Sequence, residues 1–284
     1  MKSVAIITHA DLPEIVDADN LLTEPMKAEG FEIHPQPWDK DGIDWKQYDA
    51  LIFRSAWNYH KKNQLFNTWL DQIEQLSIPT FNSLPTVRWN LNKRYLGELK
   101  NKGILVIPTI YSDGKTIDTL LTEIQRNGWE ELVIKPVYGA SSDDVIRVKT
   151  DEFNTNTLSA YRYETLIQPL MTEIQTEGEY SFIFIGNEYS HAIVKTPRSG
   201  EFRINHSLGG TQVKVIPTSE MLNQVQSIYR TSGLDVLFAR VDCLNVDGQM
   251  TLMEFEVIDP YLHFDVDEDS AFRFAKAFAQ QMVK

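Results

Sequence analysis

The sequence has few of the features that cross-link, anchor or disorder a chain. Its 284 residues include one cysteine, Cys243, so no disulfide can form within the chain and a reducing, cytoplasmic setting is expected. No apolar run approaches the roughly 18 residues of a membrane span, and the N-terminal residues become polar too early for a signal peptide. Glycine and proline, at 14 and 12 residues, are too few for a collagen-like or low-complexity chain. These absences predict a soluble globular protein.

Positive charge is scarce as well. The 27 lysines and arginines face 40 aspartates and glutamates, which gives a formal net charge of -13. General adhesion to nucleic acid or to an anionic membrane is therefore not expected. An anionic ligand of this chain would need a few local cations and, together with them, a metal ion.

Apolar runs and helical patterns divide the chain into three blocks, residues 1–85, 86–167 and 168–284. In the first block strands and helices alternate, which predicts a parallel sheet whose ligands lie beyond the carboxyl ends of the strands. The last block is rich in strands and has a hairpin signal at Gly186-Asn187. The predicted fold class is therefore α/β (α+β).

Some local elements are predicted by their end signals. Helices are expected over residues 14–29 and 91–101, because each pattern ends at a glycine, Gly30 or Gly103, that suits a helix C-cap. The apolar residues 105–109 predict a strand.

Three acidic residues stand on neighbouring apolar strands late in the sequence. Asp242 lies on one strand, and Glu254 and Glu256 lie two residues apart on the next, so both glutamates point to one face. The turn Asn245-Val246-Asp247-Gly248-Gln249 predicts a hairpin that brings Asp242 opposite them. Clustered carboxylates repel one another unless a cation is present, and such oxygen ligands suit Mg²⁺ shared with phosphates. The alternative interpretation is a row of solvent-facing carboxylates on an edge strand.

The candidate phosphate ligands are ambiguous when each is taken alone. Lys135 ends an apolar strand just before the small-residue turn at 139–143, where an ammonium and backbone N–H groups can hold phosphate, although no Walker A motif is present. Lys93 near a helix start, and Arg203 with Asn205 in an alternating segment, can contact the same anion. The ordinary interpretations are a strand-end lysine, a solvated helix face and a surface hairpin.

A series of short motifs runs through the chain in a fixed order. They are Asn82-Ser83, Asn92-Lys93, Val133-Ile134-Lys135-Pro136, Gln168-Pro169-Leu170, Gly178-Glu179-Tyr180-Ser181, Phe202-Arg203-Ile204-Asn205, Gly209-Gly210, Arg240-Val241-Asp242 and Glu254-Phe255-Glu256. In this order they resemble the ATP-grasp superfamily, in its glutathione-synthetase-like branch, over nearly the whole chain. The runs at 54–59 and 87–96 are similar to a subgroup that contains the cycloserine-forming ligase, an O-ureido-serine cyclo-ligase.

The resemblance implies an ATP-grasp fold, with an N-terminal parallel-sheet α/β domain on the substrate side and two subdomains that clamp the nucleotide. It also implies ATP-binding positions at the phosphates, the adenine hinge and the ribose or purine end: Lys93, Lys135, Ser141, Gln168, Pro169, Leu170 and Glu179. Two Mg²⁺ ions, or Mn²⁺ in their place, would be held by Asp242, Glu254 and Glu256. Many relatives have asparagine where this chain has Glu256.

Catalytic and substrate residues are implied in the same way. Arg203 would steady an acyl phosphate, and Asn205 would help to hold metal or phosphate. Loops of the first block would contact the substrate through Arg54, Ser55, Trp57 and Asn58. The run His263-Phe264-Asp265 has ligand-like spacing but is interpreted as a polar loop.

The activity implied by the resemblance is that of a carboxylate–amine ligase. ATP phosphorylates a small-molecule carboxylate, an amine attacks the acyl phosphate, and ADP and phosphate are released. The alternatives are a cyclo-ligase acting on an amino-acid derivative, a ligase that modifies a peptide, and a nucleotide-binding regulator without turnover. The acidic triad and both lysines argue against the regulator. Nucleic-acid and membrane partners are not expected, and a homodimer is allowed.

Overall fold

The computed structural model describes residues 1–140, 142–161, 163–198 and 209–283. They form a mixed α/β structure with one parallel sheet and two antiparallel sheets, as the α/β (α+β) prediction requires. In this part of the chain, no helix is long and apolar enough to cross a membrane.

The N-terminal segment forms the parallel sheet. Its elements are β1 (Lys2–Thr8), α1 (Asp17–Asn20), α2 (Thr23–Ala28), β2 (Phe31–Pro37), β3 (Ala50–Phe53), α3 (Asn63–Leu76) and β4 (Thr80–Phe81). The strand order is β2-β1-β3-β4, and all neighbouring strands are parallel. The prediction of one helix over 14–29 was wrong, because Pro25 has no N–H and its ring would clash with the carbonyl of Leu21 in a continuous helix. The segment after β3 leaves the sheet at its carboxyl edge.

The middle segment forms a four-stranded antiparallel sheet with the order β5-β8-β6-β7. Its elements are α4 (Leu84–Asn90), α5 (Tyr95–Asn101), β5 (Ile110–Tyr111), α6 (Ile117–Arg126), β6 (Glu131–Pro136), β7 (Ile146–Lys149), α7 (Thr155–Ser159) and β8 (Thr165–Pro169). Helix α6 covers this sheet through its buried residues Leu120 and Ile124.

Two local predictions in the middle segment were wrong. The helix expected over 91–101 begins only at Tyr95, after a turn that places Lys93 against the carbonyl of Val137. The strand expected over 105–109 makes a single parallel bridge, between Val106 and Leu252, and no continuous ladder. The Leu252 N–H donates to the Leu105 carbonyl and the Ile107 N–H donates to the Leu252 carbonyl, and the pairing ends there.

The third segment forms a five-stranded antiparallel sheet with the order β11-β10-β9-β12-β13. Its elements are α8 (Glu173–Thr176), β9 (Glu179–Ile185), β10 (Glu188–Thr196), β11 (Thr211–Val215), α9 (Ser219–Ser232), β12 (Phe238–Val246), β13 (Gln249–Glu256) and α10 (Ser270–Gln281). One face packs against α5 and α9, and the other packs against α10 and the parallel sheet.

The second of these faces changes from apolar to polar along strand β12. Phe238 lies in the apolar cluster shared with α10, whereas Arg240 and Asp242 follow on the same face at the period of two. Cys243 points the opposite way and is fully buried in the cluster with α9. The fold therefore brings ionisable side chains to the place where the sheet leaves the apolar core.

Candidate active site

A cavity of about 820 Å³ lies over this polar stretch of the large sheet. Its wall includes Trp57 and Tyr59 from the segment after β3, Lys135 at the end of β6, and Gln168 at the end of β8. Strands β9, β12 and β13 supply most of its acidic floor. All three sheets therefore contribute to one site.

The three predicted metal ligands meet on the floor of this cavity. Each of Asp242, Glu254 and Glu256 offers a carboxylate oxygen, and these oxygens all lie within 4.8 Å of one another. A register shift in the β12–β13 hairpin makes this possible: Cys243 pairs with Leu252, but Asp242 pairs with Glu254. The extra residue on β13 turns the glutamates to the face that carries Asp242, as β-bulges do beside active sites.

Among the described residues, four basic side chains lie against these carboxylates. Lys93 and Lys135 place their ammonium nitrogens 3.0 and 3.3 Å from the same oxygen of Glu254. The Arg240 guanidinium donates to both oxygens of Asp242 at 3.0 Å, and it also pairs with Glu256.

The fourth cation, Lys195, completes the group on its other side. Its ammonium lies 3.1 Å from Glu179 and 3.8 Å from Asp242. The Ser181 hydroxyl donates to Asp242 at 2.5 Å. Among these ion pairs, four carboxylates (residues 179, 242, 254 and 256) face four cations (93, 135, 195 and 240), so the group is formally neutral.

The ionisation of the carboxylates follows from burial and from these partners. Burial opposes ionisation of Glu254, but Lys93 and Lys135 outweigh it and lower the pKa of that carboxyl. Burial likewise opposes ionisation of Asp242, and Arg240 with Lys195 lowers its pKa. For Glu256, burial and the neighbouring carboxylates outweigh Arg240 and raise the pKa. At least two ligands are therefore ionised at neutral pH, in the form that a divalent cation requires.

The donor set fits Mg²⁺ and its phosphate ligand. All three clustered side chains offer hard oxygen ligands, and the lysines beside them offer donors for phosphate oxygens. The two lysines pair with Glu254, so the cations and carboxylates of the group compensate one another.

Another part of the cavity is lined by apolar side chains. They are Ile107, Leu244 and Met253. Residues 168–170, the expected adenine-binding hinge, also line the cavity. The Gln168 amide donates to the Thr109 hydroxyl at 2.8 Å, which fixes its orientation. Such a surface suits a planar base.

Glu179 also lines the cavity and is 3% exposed. Burial, opposed by Lys195 and reinforced by Asp242, raises the pKa of Glu179 to about 7. A carboxyl group in this place can accept hydrogen bonds from the hydroxyl groups of a sugar. Its position agrees with the expected ribose or purine contact, which stays a prediction.

Of the four expected substrate residues, one lines the cavity and three do not. Trp57 lines the cavity and donates from its indole nitrogen to the Asp259 carbonyl at 2.9 Å. Arg54 is instead a buried structural residue, with two hydrogen bonds of 3.0 Å to Asp19. Ser55 is buried beside it, and Asn58 bonds to Trp38 and Asp39. This placement does not support substrate contact by Arg54, Ser55 or Asn58.

Three predicted residues, Ser141, Arg203 and Asn205, lie outside the described residues. The loop next to Ser141 does reach the cavity through Gly139 and Asp143. Asp143 accepts hydrogen bonds from His60 at 3.1 Å and from Lys61 at 2.6 Å, so this loop is attached to the N-terminal segment.

Sequence reasoning missed Arg240, Lys195, Asp259 and His263, all of which line the cavity. Arg240 had a usable signal, because it lies two residues before Asp242 on one strand and so shares its face. Lys195 did not, because it pairs with Glu179 only after a bulge near Ser190 shifts the β9–β10 register.

Comparison with known proteins assigns different matches to the two parts of the chain. The family described as "D-cycloserine synthetase DcsG, N-terminal domain" matches residues 4–82. The family described as "Prokaryotic glutathione synthetase, ATP-grasp domain" matches residues 96–268.

Individual relatives extend over the chain to different degrees. The cycloserine biosynthesis protein DcsG of Streptomyces lavendulae is 27% identical over 304 residues, covering 99% of each chain. A probable alpha-L-glutamate ligase of Pectobacterium carotovorum is 29% identical, covering 73% of this chain and 67% of the relative. The crystal structure of D-cycloserine synthetase DcsG superposes with a TM-score of 0.88, at 26% identity and 99% coverage of both chains.

Proposed function

This chain belongs to the ATP-grasp family as an ATP-dependent carbon–nitrogen ligase, and we propose that it closes a ring within one amino-acid derivative. In this reaction a carboxyl carbon becomes bonded to a nitrogen of the same molecule. The observation that supports ring closure is that the residues lining the cavity belong to two different family matches. The residues proposed to contact the nucleotide, apart from Lys93, lie within the glutathione synthetase match. Trp57 and Tyr59 come from the segment matched by the D-cycloserine synthetase N-terminal family.

The proposed nucleotide site uses the charged group on the large sheet. Lys93 and Lys135 turn from Glu254 to the terminal phosphates of ATP, and Asp242, Glu254 and Glu256 serve as ligands of Mg²⁺. When bound, Mg²⁺ offsets negative charge on the phosphoryl group. Arg240 keeps Asp242 and Glu256 oriented while their partners change. Binding of the metal nucleotide is thus an exchange of ion-pair partners within a neutral group.

The proposed chemistry has two steps. A carboxylate oxygen of the substrate attacks the γ-phosphorus of ATP, and ADP leaves with the bridging oxygen. A nitrogen of the same molecule then attacks the acyl carbon, loses its proton and expels phosphate. Arg203 and Asn205 stay predicted to act on the acyl phosphate. The cavity brings the reactants together in a fixed orientation.

Two other functions give different experimental results. A ligase that joins separate carboxylate and amine substrates uses the same residues but requires two small molecules. A nucleotide-binding regulator binds ATP without turnover. The presence of both lysines and all three clustered carboxylates argues against this alternative. A cytoplasmic location, a homodimer, two metal ions rather than one, and use of Mn²⁺ stay predictions.

We expect ADP formation with a single organic substrate and no added amine. The D and L forms of O-ureidoserine are incubated separately with ATP and Mg²⁺, and ADP, phosphate and organic products are measured. Ring closure followed by hydrolytic loss of the carbamoyl group gives cycloserine, detected by mass spectrometry. A panel of amino acids and dipeptides, offered singly and in pairs, serves as the comparison. Turnover that needs two substrates and yields a linear amide would contradict ring closure and identify the joining ligase.

A further inference from the structure

Asp259 and His263 line the same cavity as the carboxylates on β12 and β13, and both lie on the segment that follows β13. We propose that this pair recognises the protonated amino group of the amino-acid substrate, with the Asp259 carboxylate as its counter-ion. The inference rests on the proposed function, because it specifies how an amino-acid derivative is selected and oriented. It assigns a binding role to a segment that lies just after the last strand of the large sheet.

The first observation is an unsatisfied carboxylate. Asp259 is 5% exposed and lines the cavity, yet its Oδ2 has no hydrogen-bond partner among the described residues. A buried carboxylate oxygen without a partner is costly, and native proteins keep such groups mainly where a ligand or water satisfies them. Burial, reinforced by Glu256, raises the pKa of Asp259 to about 8. The free oxygen therefore indicates a cationic donor that arrives with the substrate and stabilises the ionised form of the carboxyl group.

The second observation is that the backbone around Asp259 is held in place from the N-terminal segment. Trp57 donates to the Asp259 carbonyl at 2.9 Å, and Arg54 donates to the Pro260 carbonyl at 2.9 Å. Arg54 is itself fixed by Asp19. The segment after β3 thus fixes the backbone that carries the Asp259 carboxylate. Arg54 acts as a positioning residue.

The third observation is an unsatisfied imidazole that lines the same cavity. His263 is 2% exposed and lines the cavity, and neither ring nitrogen has a partner among the described residues. Its backbone is left-handed, with φ at 53°, a conformation that favours glycine and is found at functional sites when other residues adopt it. Burial, together with Lys195 and Arg240, lowers the pKa of His263, so the ring is neutral and keeps one accepting nitrogen.

The chemistry of these side chains favours an ammonium group over a metal ion. One carboxylate with one free oxygen matches a single positive charge, whereas the metal site has three clustered carboxylates. The aromatic rings of Trp57, Tyr59 and Tyr261 also line the cavity, and aromatic faces attract cations.

The test asks whether the effect of changing Asp259 depends on the amino group of the substrate. The variant Asp259→Asn keeps the shape of the side chain and removes its charge, and Asp151→Asn, at an exposed position, is the matched control. The probes are O-ureidoserine and its analogue without the amino group, 3-(ureidooxy)propionic acid. KM is measured for the first, and the inhibition constant is measured for the second.

We expect Asp259→Asn to raise KM for O-ureidoserine at least about tenfold, the effect of losing one charge-assisted contact. Its KM for ATP and the inhibition constant of the analogue without the amino group should stay within about twofold of wild type, since neither ligand carries the ammonium. Equal weakening of both organic ligands would overturn the proposal, because the effect would then be structural. Unchanged KM for O-ureidoserine in the folded variant would overturn it as well.

The same comparison separates this proposal from the proposed ring closure. If O-ureidoserine is not turned over, calorimetric titrations with serine and 3-hydroxypropionate, in the presence of Mg²⁺ and a non-hydrolysable ATP analogue, replace the kinetic measurements. Binding of serine that is lost in Asp259→Asn supports amino-group recognition even when ring closure fails. Equal binding of the two acids to wild type would contradict it. His263→Gln, which keeps a donor and an acceptor, should weaken serine binding less than Asp259→Asn does.

Discussion

Glu254→Gln is expected to lower turnover by about 100-fold to 1,000-fold, the usual effect of removing one preorganised electrostatic group from an active site. Glutamine keeps the size of the side chain but offers a neutral ligand where Asp242 and Glu256 supply the rest of the metal site. The chain should still fold, because the amide oxygen can accept from Lys93 and Lys135 as the carboxylate does. Steady-state ADP release at saturating Mg²⁺ measures the change.

The proposed exchange of ion-pair partners, in which Lys93 and Lys135 turn from Glu254 to ATP, predicts a second property of Glu254→Gln. Because Glu254 no longer neutralises the two lysines, ATP should bind in the presence of EDTA at least as tightly as it binds to wild type. Glu188→Gln, at an exposed position on β10 of the same sheet, is the control and should leave both quantities unchanged. Wild-type turnover in folded Glu254→Gln would refute the role of this carboxylate in metal binding.

Lys135→Met is expected to weaken ATP binding or turnover by at least about tenfold. A charge-assisted hydrogen bond contributes about 1.5–3 kcal/mol, and about 1.4 kcal/mol corresponds to a factor of ten. Lys135 is buried at the end of β6, where methionine can occupy its space without the charge. Calorimetric titration with Mg²⁺ and a non-hydrolysable ATP analogue measures affinity, and ADP release measures turnover.

The control for this change is Lys149→Met, at an exposed position on β7 in the same antiparallel sheet. It removes the same charge from the chain but not from the cavity, so general electrostatic effects are subtracted. Wild-type affinity together with unchanged turnover in folded Lys135→Met would remove Lys135 from the phosphate site. Lys93→Met should have a smaller effect, because Lys93 is partly exposed whereas Lys135 is buried, so water screens the charge of Lys93 more strongly.

The fold was predictable where local signals agree with the tertiary structure. The hairpin turn at Gly186-Asn187, and the turn around Gly248, lie where expected, because both need a left-handed backbone that these residues tolerate. The helix expected over 14–29 failed because Gly30 marks only where a helix ends, whereas Pro25 interrupts the helix before it. The strand expected at 105–109 failed because an apolar run alone does not specify a pairing partner.

The metal group was predictable in its residues but not in its geometry. Counting back from the Val246–Gln249 pair in a regular hairpin would set Asp242 against Met253 and turn Glu254 to the opposite face. One extra residue on β13 corrects this, and no signal in the sequence marks it. The order of the motifs, which resembles that of the ATP-grasp superfamily, indicated that the three acidic residues form one site. Their spacing alone did not.

The substrate side was predictable in part. Trp57 does line the cavity, but Arg54 is directed to Asp19, and its role is to hold the chain around Pro260. His263 was interpreted as part of a polar loop because its spacing carries no information about burial. Unsatisfied polar atoms in a cavity become visible only when the packing around them is known.

The most direct measurement follows the oxygen atoms of the substrate carboxylate. The carboxylate is labelled with ¹⁸O, one turnover is run with ATP and Mg²⁺, and the products are analysed by mass spectrometry. Attack of the carboxylate on the γ-phosphorus predicts one ¹⁸O atom in the inorganic phosphate and none in the nucleotide. Phosphate without ¹⁸O, or ¹⁸O in AMP released with pyrophosphate, would contradict activation through an acyl phosphate.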